Sequence, residues 1–302
     1  PDGPPQPGGL RSYSLTTFGS LDQRSDEIAR GLTAWGVKPG MRIAMLVPFG
    51  AGFIELVFSL MKAGVVTVLV DPGMGRKHLV RCLSAADPDG FIGIPKAQAI
   101  RSVLRRRFPK AKWNVTVGRR LFWGGKTLQQ VIELGKAQKD NINLPRVERS
   151  DDAAVIFTTG STGPPKGVLY THGTFHAQID RIRERYDIHR GSRDLACFPL
   201  FGLYDAVMGV TTIIPDMDPT KPAAVNPERL IEAAAQWEID QAFGSPALWN
   251  TVVRWAEAND VERPFPTLKR ILSAGAPVPA ETLSKLRTLV DPDASIMTPY
   301  GS

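Results

Sequence analysis

The sequence reads Phe157-Thr158-Thr159-Gly160-Ser161-Thr162-Gly163-Pro164-Pro165-Lys166-Gly167 between two apolar runs, 153–157 and 168–170. The apolar runs predict two strands, and the residues between them predict a loop rich in glycine and hydroxyl groups. Its glycines let the backbone come close to a ligand, its hydroxyls can donate hydrogen bonds, and its lysine carries a positive charge. That combination suits a polyphosphate, whose oxygens accept from N–H and O–H groups while the lysine balances their charge.

The loop is not a Walker A motif, because that motif has glycine directly before its lysine and serine or threonine after it. Here Pro165 precedes Lys166 and Gly167 follows it. An ordinary turn rich in Gly, Ser and Thr is the alternative. Two adjacent prolines and a lysine within so short a stretch favour phosphate binding.

Strands and helices alternate on both sides of the loop. Before it, strands are predicted at 42–47, 65–70, 90–94 and 113–117, and helices at 18–35, 51–62, 76–86 and 97–107, after a short β-like stretch at 12–17. After it, strands are predicted at 195–199, 211–214, 241–243, 268–273 and 295–298, and helices at 172–186, 204–209, 227–237, 247–258 and 280–289. Alternation with short Gly/Pro connections is typical of doubly wound α/β sheets with mostly parallel strands. Such sheets bind ligands at the carboxyl ends of their strands.

The composition of the 302 residues, 43% hydrophobic and 22% charged, is that of a globular protein. Cys82 and Cys197 are far apart and form no metal-ligand or disulfide pattern, which favours a reducing, cytoplasmic location. No apolar run reaches the length of about 20 residues that a membrane-spanning helix needs. Residues 1–9 have the composition of a flexible lead-in and lack the regions of a signal peptide.

The net charge is +7. It fits a solvated surface, or attraction of an anionic substrate such as ATP or of an acidic partner. The main basic clusters, 101–107 and 181–193, lack the interleaved aromatic residues of a base-stacking surface. We therefore do not expect binding to nucleic acid.

The segment 158–167 resembles the phosphate loop of the adenylate-forming superfamily of acyl-CoA synthetases, luciferases and adenylation domains. The resemblance implies activation of a carboxylate by ATP and Mg²⁺ as an acyl-AMP, with release of pyrophosphate. It implies catalytic roles for Thr158 and Lys166. The residues that it implies for binding of the phosphates are Thr158, Thr159, Gly160, Ser161, Thr162, Gly163 and Lys166.

The same resemblance implies two packed α/β subdomains with ATP in the groove between them. Residues 37–189 would form the first, which carries the phosphate loop. Residues 1–36 and 190–302 would form the second, so the helix at 18–35 would join the later block. The small C-terminal domain of the superfamily is not represented in this chain.

Two further segments resemble the adenine side of the superfamily's ATP site. One is Ser273-Ala274-Gly275-Ala276-Pro277, and a plain strand-to-helix turn is its alternative. The other is Tyr300-Gly301, the start of a Tyr-Gly-x-Thr-Glu motif whose tyrosine packs on adenine. The resemblance implies that Gly275, Ala276, Pro277, Tyr300 and Gly301 bind the nucleotide. The magnesium-binding Glu of that motif would lie beyond Ser302, so no metal ligand is assigned.

The segment 199–205 resembles the superfamily's acyl-binding segment and implies substrate contacts for Phe201 and Gly202. Many acyl-CoA synthetases have histidine at the position of Gly202. The absence of that side chain here would leave room for a branched or bulky acyl group, and a helix-initiating glycine is the alternative. Phe243 and Gly244 lie where relatives line the acyl tunnel. His172 also matches a family position, and a core or capping histidine is the alternative.

Within the superfamily, several segments resemble the olefin β-lactone synthetases of hydrocarbon biosynthesis. They are 69–73, 91–95, 115–120 and 212–223. This resemblance implies a long-chain 2-alkyl-3-hydroxy acid as substrate, a β-lactone as product, and neighbouring olefin-pathway enzymes as partners. The alternatives are a long-chain fatty acyl-CoA synthetase and a non-catalytic nucleotide- or lipid-binding module.

Overall fold

The computed structural model describes residues 1, 3, 10–158 and 165–300, and the side chains of all of these except Pro72 and Thr158. The chain divides into two compact units. The amino-terminal unit is Thr16–Gln178, and the carboxy-terminal unit combines Pro1–Leu15 with Ile179–Ser302.

The amino-terminal unit is built on a seven-stranded sheet in the order β5-β4-β3-β1-β2-β6-β7. Its strands are β1 Arg42–Leu46, β2 Val66–Val70, β3 Gly90–Gly93, β4 Trp113–Thr116, β5 Lys126–Thr127, β6 Asp152–Thr158 and β7 Lys166–Thr171. Its helices are α1 Phe18–Ala34, α2 Ala51–Lys62, α3 Arg76–Ala86, α4 Pro95–Val103 and α5 Leu128–Ala137. Helix α6, His172–Tyr186, begins in this unit and ends in the other. Neighbouring strands are parallel except β6 and β7, which confirms the expected doubly wound α/β class.

Helix α1 packs against α2 and α5 of the amino-terminal unit, so its predicted place in the later block is wrong. The physical reason is a close backbone contact at two glycines. A Cβ added at Gly31 would lie 1.9 Å from the carbonyl oxygen of Val131, and one at Gly135 would lie 1.7 Å from that of Glu27. Only glycine permits this approach. The unit boundary accordingly falls after residues 15 and 178, instead of after 36 and 189.

The carboxy-terminal unit is built on a five-stranded, all-parallel sheet in the order β12-β11-β10-β8-β9. Its strands are β8 Arg193–Ala196, β9 Thr211–Ile213, β10 Gln241–Gly244, β11 Arg270–Ser273 and β12 Ser295–Met297. Its helices are α7 Pro199–Met208, α8 Pro227–Trp237, α9 Pro246–Ala258 and α10 Ala280–Thr288. Trp249, Phe265 and Leu230 are fully buried in its core.

Three local expectations differ from the structure. Helix α7 begins at Pro199, five residues earlier than predicted, because proline is preorganised for the first helical position. Helix α4 ends at Val103, and a 3₁₀ turn follows at Arg105–Arg107. The segment 12–17 forms no strand; Thr17 instead caps α1, since its side chain accepts from the Ser20 N–H at 3.1 Å.

Among the described residues, no helix is both long and apolar enough to cross a membrane.

Candidate functional site

Strands β6 and β7 form an antiparallel hairpin around the predicted phosphate loop. Thr158 is paired with Lys166, and Phe157 with Gly167. The Lys166 side chain is exposed at the mouth of the hairpin. Five predicted phosphate-binding residues lie outside the described residues: Thr159, Gly160, Ser161, Thr162 and Gly163. The two predicted strands on either side of the loop are therefore confirmed.

The hairpin opens at the carboxyl edge of the seven-stranded sheet. Strand β6 runs parallel to β2, with Val70 opposite Phe157, so Asp71 follows at the same edge as Thr158. The Asp71 carboxylate accepts a hydrogen bond from the Gly73 N–H at 2.7 Å and holds a tight turn there. Asp71 belongs to a segment that resembles the β-lactone synthetases, and its place directly after a buried strand is itself a signal for this edge.

His172 lies at the other end of the hairpin, next to the beginning of β6, because β7 runs away from the loop. Its backbone N–H donates to the Asp151 carbonyl at 3.0 Å, and burial lowers the pKa of its imidazole. His172 comes six residues after Lys166 along the strand, a separation of about 20 Å. The structure therefore does not bring His172 together with the phosphate loop. It lines a separate depression of about 500 Å³ beside Lys62 and His176.

The other predicted site residues meet at the carboxyl edge of the five-stranded sheet. Gly244 is paired with Ser273, Phe243 with Ala196, and Leu272 with Met297. The segments that leave this edge carry Phe201, Gly202, Phe243, Gly244, Gly275, Ala276, Pro277 and Tyr300. Gly301 lies outside the described residues.

Phe201 and Phe243 stack at this edge, with ring centroids 3.7 Å apart and an interplanar angle of 14°. Gly202 is buried in α7, and because the helix already begins at Pro199, Gly202 does not initiate it. Gly244 is tightly enclosed, because an added Cβ would lie 2.8 Å from the Trp249 indole nitrogen. The edge thus offers a rigid apolar platform made of flat rings and small residues.

The segment after β11 leaves its backbone open to solvent. Gly275 has φ +98°, which favours glycine, and Ala276 and Pro277 are exposed. The Ser273 hydroxyl is buried and has no hydrogen-bond partner among the described residues. The Tyr300 ring is 98% exposed. An uncovered backbone, an unpaired hydroxyl and an available ring fit a nucleoside with a flat base.

The structure also contains a pair of buried carboxyl groups that the sequence did not predict. One of them belongs to α7, the helix that carries Phe201. Asp194 of β8 and Asp205 of α7 are hydrogen-bonded to each other, and the Thr212 hydroxyl donates to Asp205 at 3.4 Å. Burial raises the pKa of Asp194 to about 7, and burial together with Asp194 raises that of Asp205. The pair therefore holds a proton at neutral pH and ties α7, which carries Phe201, to the sheet.

Comparison with known proteins identifies the family of the chain. The chain is 44% identical over 295 residues to the olefin beta-lactone synthetase of Stenotrophomonas maltophilia, which covers 97% of the chain and 52% of that protein. It is 28% identical over 276 residues to a feruloyl-CoA synthase of Amycolatopsis, covering 89% of the chain and 51% of that protein. The chain therefore spans about half the length of these curated relatives.

The fold matches a solved long-chain-fatty-acid-CoA ligase from Archaeoglobus fulgidus with a TM-score of 0.80 and 19% identity. That match covers 97% of this chain and 58% of the ligase, and it shows the fold alone. The family model described as "AMP-binding enzyme" matches residues 9–302. With these matches, the resemblance expected from the phosphate loop is confirmed, and the chain belongs to the AMP-binding enzyme family.

Proposed function

We propose that the whole protein activates a long-chain 2-alkyl-3-hydroxy acid with ATP and closes it to a β-lactone. The observation that carries this proposal is the 44% identity to a protein named olefin beta-lactone synthetase, well above the 28% shared with a feruloyl-CoA synthase. The finer assignment of substrate and product rests on that relation.

In the first step a carboxylate oxygen attacks the α-phosphorus of ATP, and pyrophosphate leaves. Lys166 stands exposed opposite Thr158 and would balance the charge that develops on the pyrophosphate. The hydroxyls of Thr158, Thr159, Ser161 and Thr162 would donate to the same oxygens, while Gly160 and Gly163 would let the backbone approach them.

In the second step the β-hydroxyl oxygen attacks the acyl carbon, loses its proton, and expels AMP. The nucleophile belongs to the substrate itself, so the protein contributes chiefly orientation and exclusion of water. The Phe201–Phe243 platform would hold the alkyl chains with Gly244 beside it, and the small Gly202 would leave room for the branch.

Gly275, Ala276 and Pro277 would border the adenine, and Tyr300 with Gly301 would pack on it. For Mg²⁺, the residues that the structure describes contain no group of three His, Cys, Asp or Glu side chains suited to a metal. No residue of this chain is given the role of metal ligand.

The test is an assay of the full-length protein with ATP and a 3-hydroxy acid, with and without CoA. We expect AMP, pyrophosphate and a CoA-independent product. Product that appears only with CoA would establish the rival, a long-chain fatty acyl-CoA synthetase. Nucleotide binding without AMP formation would establish a non-catalytic binding module.

A further inference from the structure

A positively charged surface with exposed apolar side chains lies at one edge of the seven-stranded sheet. From Gly90 to Ile132 the sequence contains ten basic residues and no Asp or Glu, whereas the whole chain has a net charge of only +7. The ten are Lys96, Arg101, Arg105, Arg106, Arg107, Lys110, Lys112, Arg119, Arg120 and Lys126. Of these, only Lys110 forms an ion pair with a carboxylate in the part of the chain that the structure describes.

Helix α4 faces solvent with its apolar side. Gln98 points inward and donates to the carbonyl oxygens of Val115 at 2.8 Å and Phe91 at 3.2 Å. Residues two and five positions further along lie on the opposite face of the helix. Ile100 and Val103 are accordingly 47% and 81% exposed. This reverses the usual arrangement of a surface helix, whose apolar side faces the core.

The loop between β4 and β5 adds two more apolar side chains beside the helix. Trp123 anchors it, because the buried indole N–H donates to the Thr116 hydroxyl at 2.9 Å. Leu121 and Phe122 just before this anchor are 54% and 79% exposed. The loop leaves the sheet next to α4, since a Cβ at Gly118 would lie 3.7 Å from Pro95.

We propose that this basic–apolar surface, formed by α4, the turn Arg105–Arg107 and residues 119–123, docks on an anionic phospholipid bilayer. Arginine and lysine side chains are attracted to anionic headgroups, and exposed apolar side chains insert at the boundary between headgroups and acyl chains. Nucleic acid is a poorer match. It would use the arginines, but Phe122 is the one exposed aromatic side chain among the described residues of this surface, and the aliphatic Ile100, Val103 and Leu121 offer no base stacking.

The surface is distinct from the candidate active site. Four strand spacings separate β4 from the phosphate hairpin at β6, a distance of about 19 Å. Variants of the surface therefore leave the proposed catalytic residues in place. Vesicle binding can also be measured without substrate, so it is independent of the proposed function.

The test is sedimentation of the full-length protein with vesicles of phosphatidylcholine alone or mixed with phosphatidylglycerol. We expect binding only to the mixed vesicles, and weakening with added salt. The triple variant R105Q/R106Q/R107Q should bind on the order of a hundredfold more weakly. The variant V103S/F122S should bind about tenfold more weakly, because it loses apolar insertion.

Control variants remove exposed charges or an exposed apolar side chain elsewhere on the chain. R181Q/R183Q/R185Q removes three exposed charges from α6, and Leu15→Ser removes one exposed apolar side chain. Both should bind the mixed vesicles like the parent, and the melting temperatures of all variants should match it. Binding to neither vesicle, or equal weakening in the controls, would overturn the proposal.

Two further results decide between insertion, surface attraction and nucleic acid. Phe122→Trp should show extra fluorescence quenching by brominated lipids relative to the parent, and no extra quenching would overturn insertion. Duplex DNA should bind no more tightly than the mixed vesicles. Tight DNA binding that needs the three arginines but not Val103 and Phe122 would identify a nucleic-acid surface instead.

Discussion

The rings of Phe201 and Phe243 lie 3.7 Å apart and within 14° of parallel, although 42 positions separate them in sequence. Phe243 is the last residue but one of a buried strand, whereas Phe201 belongs to a helix that begins after a neighbouring strand. Their contact joins two strand ends into one apolar surface. If this surface receives the alkyl chains, its loss should weaken acid binding without affecting ATP.

We predict that Phe201→Ala raises KM for the hydroxy acid about tenfold, since it removes a stacked ring and its apolar contact with substrate. KM for ATP should stay unchanged. The control is Phe265→Leu, which changes the buried Trp249–Phe265 contact. It should lower the free energy of unfolding and leave both KM values unchanged. Steady-state kinetics of the full-length variants measures this, and an equal rise in both KM values would argue against the platform.

Lys166→Met should lower kcat by about 10²–10³, as loss of one preorganised charge contact in a transition state does elsewhere. Because the side chain is exposed, the free energy of unfolding should change little. Lys77→Met, an exposed lysine on α3, is the matched control and should keep full activity. Unchanged kcat in the Lys166 variant would show that Lys166 is not a catalytic residue.

The buried carboxyl pair predicts a pH dependence of stability. The pKa of Asp194 is about 7 in the folded protein, above its ordinary value of 3.8. The folded state therefore binds more protons than the unfolded state between these values, and the free energy of unfolding falls as pH rises through this window.

Asp205→Asn should make that fall shallower, because the amide cannot lose a proton and can still donate to Asp194. Urea unfolding at pH values on both sides of the window measures the effect. Asp180→Asn, an exposed residue of α6, should keep the parental slope. If the free energy of unfolding of the Asp205 variant falls with pH as steeply as that of the parent, protonation of the carboxyl pair does not contribute to stability.

The close contact of α1 with α5 predicts a severe effect of one methyl group. Gly135→Ala should destabilise the protein by about 3 kcal/mol or more, because its Cβ would overlap the Glu27 carbonyl. Gly19→Ala, where an added Cβ meets no atom within 4 Å, should be neutral or slightly stabilising. Thermal unfolding distinguishes them, and equal stability would contradict the packing of α1 on α5.

Hydrophobic periodicity and turn residues predicted the α/β class, most helices and strands, and the two strands that flank the phosphate loop. What they missed depends on tertiary contacts. Gly31 and Gly135 are ordinary glycines in sequence, and only the packing of α1 on α5 explains them. The Asp194–Asp205 contact likewise forms only once α7 packs on the sheet. His172 is expected at the substrate site because it matches a family position, but the direction of β7 places it at the end of the strand away from the phosphate loop.

The fate of the β-hydroxyl oxygen tests the proposed chemistry. The measurement is mass spectrometry of products formed by the full-length protein from ATP and a 3-hydroxy acid labelled with ¹⁸O at the hydroxyl. Activation of the carboxylate followed by hydroxyl attack predicts that the label stays in the lactone ring and that AMP is unlabelled. Label in the phosphate of AMP would mean that the hydroxyl was activated instead, and would contradict the mechanism proposed here.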